Sequence, residues 1–246
     1  GNGTVTLDAE AGALTMAGAV SVTATDSSAR LNAATDLTVG NVQATNVSLV
    51  ADSGSIINAA GSSMNVTATN LRVSADDQIG SAARHLTTTV ATVSALSTGT
   101  DTAGIFVTEA DDIRVDSVTV STTAFNGDAS TTAVTDAAQA DLVTAGNNGD
   151  IVLTTLNGSI VINDGDADQA GIVAHGAGNV RLDADGVGAD VTNHARIDST
   201  SGHITVTAAD ALSLLANLST AGNGTVTLDA EAGALTMAGA VSVTAT

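Results

Sequence analysis

Short runs in which apolar and polar residues alternate recur along the whole chain. TVTLDA (4–9), NVSLVA (46–51), DIVLTT (150–155), NVRLDA (179–184) and HITVTAA (203–209) are typical. Alternation with period 2 is the pattern of a strand with one buried face. Between the runs stand Gly, Asn, Asp and Ser, in pairs such as NG, DG and SG that tolerate the positive φ of tight turns. Helical periodicity is nearly absent. Ala209 to Leu218 could pass for a helix, but Asp210–Leu215 also alternates, and a strand is expected there.

The spacing of the runs says how the strands stack. Leu37, Val47, Ile56 and Val66 each open one, and alternate members, Leu37 with Ile56 and Val47 with Val66, lie 19 residues apart. Further on, Ile151 to Ile172 is 21 residues and Ile160 to Val180 is 20. A recurrence near 20 with two or three strands per turn predicts a parallel β-helix, a β-solenoid. Each coil lays its strands on those of the coil below, and inward side chains form continuous apolar files. Leu37 should then stand over or near Ile56, and Val47 near Val66.

The first 25 residues, GNGTVTLDAEAGALTMAGAVSVTAT, recur without one change at 222–246, an offset of 221. Self-similarity at a fixed period marks a repeat array. Residues 1–221 are therefore expected to form one full tandem unit, and 222–246 the start of the next identical copy. At roughly 20 residues per coil the unit would hold about 11 coils and, at about 4.8 Å each, span about 50 Å. One stretch breaks the rhythm. STTAFNGDASTTAVTDAAQAD (121–141) is long and polar, and is expected to be a loop excursion or an irregular coil.

Composition narrows the alternatives. The chain has two aromatic residues, Phe106 and Phe125, and no Trp, Tyr, Pro, Cys or Lys. A pair of immunoglobulin-like sandwiches would fit the length, but would be expected to bring a core Trp and Pro-marked linkers. A narrow solenoid bore filled by Val, Ile, Leu and Ala needs neither. The net charge of −20, with only six dispersed Arg, leaves no basic footprint for nucleic acid. An anionic membrane surface would repel the chain, and no transmembrane helix or membrane insertion is expected in it.

Runs such as DLTVGNVQATNVSLVADSGSIINAAG (36–61) and GNVRLDADGVGADVTNHARIDSTSGHITVTAAD (178–210) resemble the repeat regions of filamentous-haemagglutinin-type adhesins and of giant repetitive surface proteins of Gram-negative bacteria. The resemblance implies a right-handed β-helix, export to the bacterial cell surface or beyond, and a role in adhesion or in extending an adhesive tip. Its partners would be neighbouring repeats stacked end to end, other filaments, or a host or partner cell surface. It supplies no binding residues.

The strongest acidic cluster is NDGDADQ (163–169). Asp164, Asp166 and Asp168 are candidate calcium ligands, since calcium takes carboxylate and carbonyl oxygens. The EF-hand pattern fails, because the Gly is misplaced and position twelve from Asp164 is His175. A solvated turn is the plainer expectation, with no cofactor. His85, His175, His194 and His203 show no ligand spacing. No nucleophile or acid–base constellation is visible. The chain is expected to be a structural repeat, a stiff spacer or fibre, and not an enzyme. The alternative is a ligand- or calcium-binding adhesin repeat that mediates attachment.

Overall fold

The computed structural model describes residues 3–99, 103–146 and 148–246. Its secondary structure is all strand, with 25 strands and no helix among the described residues. Twenty of these join one sheet whose successive strands pair in parallel, coil upon coil. This is a parallel β-helix. Ala209–Leu218 contains the strand Leu212–Leu214 and the start of Leu218–Thr220.

Inward residues stack into files. One runs Leu14, Leu37, Ile56, Ile79, Ile105, Ile151, Val180, Ile204 and Val226. A second runs Val5, Ala29, Val47, Leu71, Val93, Val115, Ile162, Asn193, Leu214 and Met237. Most of these side chains are fully buried. The files are filled by aliphatic side chains, and β-branched residues suit the pleated wall. That is how a core forms here without Trp or Tyr.

Leu37 does pair with Ile56. Val47 does not stand over Val66; it pairs with Leu71, and Val66 pairs with Val42. The strand Asn41–Ala51 rounds a corner without a break, so the start of a run in sequence is not the start of a wall. Ile151 pairs with Val180 and Ile160 with Val191, not with Ile172 and Val180. Each coil there has three walls, and the spacings near 20 linked neighbouring walls. Outside the coil that carries an insertion, the step runs from 18 residues (Ala29 to Val47) to 31 (Ile162 to Asn193).

The insertion is an antiparallel hairpin, Val118–Phe125 with Thr131–Gln139. It opens three residues earlier than the 121–141 excursion expected from sequence. Val93 and Ala95, two residues apart on one strand, pair with Val115 and Leu142. The hairpin leaves the wall at that point and splits one wall into two. It then lies back over the preceding coils. Arg30 Nε donates to both Asp136 oxygens at 3.0 and 2.9 Å, and Arg72 Nε donates to the Ala137 carbonyl at 3.1 Å. Gln139 Nε2 donates to the Val73 carbonyl at 2.7 Å, and Thr123 N donates to Thr4 Oγ1 at 3.0 Å. The hairpin thus covers the outward file Arg30, Ser48, Arg72 and Ser94.

Its seat is imperfect. Ser48 Oγ, Thr122 Oγ1 and Thr6 Oγ1 are buried without partners, and each such atom costs about 1–3 kcal/mol. Phe125, at the end of the outgoing strand, is 75% exposed, whereas Phe106 in the wall is 9% exposed. Brief chymotrypsin treatment of the native chain is expected to cut after Phe125 and to spare Phe106, leaving two fragments that stay associated. Mass spectrometry of the nicked protein would check this. Cleavage at Phe106 at a similar rate would contradict the assignment of that residue to the wall.

Candidate functional site

Asp and Asn residues serve the corner turns. Asp150, Asn179, His203 and Thr225 precede corresponding strands in successive coils and form a ladder. Asn179 N and Nδ2 each donate to Asp150 Oδ1 at 2.8 Å, and His203 N donates to Asn179 Oδ1 at 2.9 Å. His203 Nδ1 lies 2.9 Å from Thr225 Oγ1. A second ladder runs through Asp112, Ser159, Asp190 and the Ala211 N–H. These groups satisfy backbone N–H groups where the walls turn. His203 is one rung. His85 Nδ1 sits 2.8 Å from Thr108 Oγ1 and its ring packs on Phe106, with burial lowering its pKa.

The loop 163–169 is built differently. It joins Ile160–Ile162 to Ala170–Ala174 at a corner. Asp164 holds the loop closed, because its two oxygens accept from Ala167 N at 2.7 Å and Gln169 N at 3.0 Å. Ala167 and Gln169 both take positive φ, 70° and 71°, and Asp164 supplies the hydrogen bonds that hold them there. Asp166 Oδ1 accepts from Asp168 N at 3.2 Å, and Asp168 Oδ1 from Ala170 N at 2.6 Å. Arg196 reaches the loop through the carbonyls of Asp168 and Gln169, at 3.3 Å each, while its Nη1 pairs with Asp198.

Asp166 and Asp168 converge on a third carboxylate, and it is not Asp164. It is Asp141, at the return end of the hairpin, with one oxygen of each of the three within 4.8 Å of the others. Asp141 is 3% exposed and its Oδ1 has no hydrogen-bond partner. Burial, and then the negative charges of Asp166, Asp168 and Asp164 against the opposing Gly165 N–H, push its pKa up to about 7. The close approach depends on Gly165, where a Cβ would stand 2.7 Å from the Ser117 nitrogen and 2.8 Å from the Ala140 Cβ. Of the three residues read from sequence, the structure therefore brings two together, replaces Asp164 with Asp141, and gives Asp164 the task of shaping the loop. Spacing along the chain could not find Asp141, because the hairpin delivers it.

A second carboxylate also went unnoticed in sequence. Glu109 is fully buried, in the inward file between Thr88 and Thr155. Thr88 Oγ1 donates to it at 2.7 Å, Val90 N at 3.1 Å and Ala110 N at 2.9 Å. Burial is the main cause that raises its pKa from 4.5 to about 7.

Compared with protein-family models, curated proteins and solved structures, the chain finds no match in any of the three.

Proposed function

We propose that this chain is a stretch of a structural rod, a β-helix built from stacked copies of one unit, which serves as a stiff spacer in an extracellular or surface protein of a bacterium. The observation that carries the reading is the doubled segment. Val5–Ala9 and Leu14–Thr15 in the first copy recur as Val226–Ala230 and Leu235–Met237 in the second, so identical sequence takes the same strands at both ends. Met16 is 5% exposed under the coil above it, whereas its counterpart Met237 is 46% exposed. The residues that follow the first copy cover it; the same residues following the second would cover that in the same way. Nearest-neighbour stacking of this kind extends copy by copy along one axis. The open acidic surface keeps such a polymer soluble. The sequence resemblance to haemagglutinin-type repeats supports the bacterial surface setting.

On this reading the register sets the length of the unit. Along the file of Val5, Leu214 is eight coils up and Met237 nine, while Val226, the counterpart of Val5, stands on the file of Leu14. One unit is thus about eight and a half coils rather than eleven, or roughly 40 Å at about 4.8 Å per coil. Successive units would be turned by about half a revolution, with their hairpins on opposite sides of the rod. Chains of one, two and three units should lengthen by about 40 Å per unit in cryo-electron micrographs. Separate globules, or lengths that do not add, would end the proposal.

A further inference from the structure

We propose that Asp141, Asp166 and Asp168 bind a calcium ion that ties the root of the hairpin to the corner loop of the next coil. The inference stands apart from the array reading. It begins with Asp141 Oδ1, a carboxylate oxygen buried without a donor on a side chain only 3% exposed. A buried carboxylate with an unpaired oxygen is costly unless something compensates it. Here two more carboxylates, from a different element, lie within 4.8 Å. Like charges held at that distance repel. Arg196, which reaches the loop, binds its backbone carbonyls and Asp198 rather than these oxygens.

A cation resolves all of this at once. The donors are oxygen only, which selects a hard ion. Asp166 and Asp168 each have one oxygen engaged by a backbone N–H, which orients the carboxylate and leaves the other oxygen free. Asp164, whose two oxygens each hold a loop N–H, lies outside the group of three carboxylates and fixes the loop's shape. Calcium tolerates irregular geometry and completes its shell of six to eight oxygens with carbonyls and water, whereas magnesium demands a near-ideal octahedron. Two of the three ligands are exposed, so the affinity belongs with open extracellular sites, about 0.1–1 mM. The ion would join Asp141, on the last residue before the wall resumes, to the loop that follows Ile160–Ile162. The hairpin's return strand would then be anchored at its base as well as along Arg30 and Arg72.

The test uses the full chain, stripped with chelator and titrated with calcium chloride by calorimetry and by thermal melting. One site is expected, with an upward shift in melting temperature of about 5 °C near saturation. Asp141→Asn should abolish both the heat and the shift. Asn tolerates the positive φ of 67° at this position, so the variant should still melt cooperatively in chelator. The double variant Asp166→Asn with Asp168→Asn should also lose the response, while Asp185→Asn, at another corner, should keep it. No calcium response in the native chain would overturn the site. So would an undiminished response in Asp141→Asn.

Discussion

Replacing Ile160 with alanine should cost the fold about 2–5 kcal/mol, the range for a large aliphatic side chain removed from a close-packed core. Ile160 is fully buried and sits between Ile113 below and Val191 above. In a globular core a neighbour can relax into the space left behind. In this bore the coils above and below are held in register by backbone hydrogen bonds, so little collapse is available and the cavity term stays large. The defect also falls between two coil interfaces, and a rod stabilised through nearest neighbours loses contacts on both sides of the weak coil. Val187→Ala is the matched control, since Val187 projects fully into solvent at a turn; it should change stability by less than about 0.5 kcal/mol. Urea unfolding followed by circular dichroism would compare the two. Equal midpoints for Ile160→Ala and the native chain would remove Ile160 from the core and with it the file Ile113–Ile160–Val191.

The strands themselves were plain in the sequence, because alternation directly reports which face of a strand is buried. Register was only partly legible. Leu37 and Ile56 open equivalent short strands on one wall, so their spacing equals one coil. Val47 and Val66 do not, because Asn41–Ala51 bends around a corner with no Gly or Pro to mark it. In the second half the walls are short and similar, so Ile160 and Val180, which occupy adjacent walls, looked like successive coils. The excursion was visible as polar sequence, but its antiparallel pairing put its start at Val118, where the pattern still reads as wall. Of the acidic site, the loop was legible and its partner was not. Asp164, Asp166 and Asp168 alternate in one short segment, and nothing local says that Asp164 folds back on its own loop to hold Ala167 and Gln169. Asp141 reaches the loop only through the hairpin's fold. The Asp and Asn residues at the corners were expected as turn residues, and the ladders through Asp150 and Asp112 show what they do: each satisfies a backbone N–H of the coil stacked on it.

Glu109 gives a prediction whose sign is fixed by linkage. Its carboxyl is buried in the bore, and its pKa rises from 4.5 to about 7. Burial is the largest cause. The hydrogen bond from Thr88 Oγ1 works against it, the Asp111 carboxylate reinforces it, and the N–H groups of Ala110 and Asp111 oppose it. Asp111 is the charged group facing it; Thr88 and Val90 on one flanking coil, and Thr155 on the other, are neutral. An acid whose pKa is raised in the folded state binds its proton more tightly there than in the unfolded chain. The stability it contributes is complete below about pH 4.5 and is lost as the pH rises through about 7. A shift of that size corresponds to at most about 3 kcal/mol. Glu109→Gln removes the titration while keeping an oxygen for the Ala110 and Val90 N–H groups, and the Thr88 hydroxyl can turn to accept from the new amide. The variant should match the native chain near pH 4 and be more stable by up to about 3 kcal/mol at pH 8. The measurement is unfolding free energy against pH for both proteins in chelator. Carboxylates remote from Glu109, Asp141 included, are common to both proteins and cancel in the difference. A difference that stays flat between pH 4 and pH 8 would show that Glu109 is ionised and well solvated in the fold, and would take it out of the inward file.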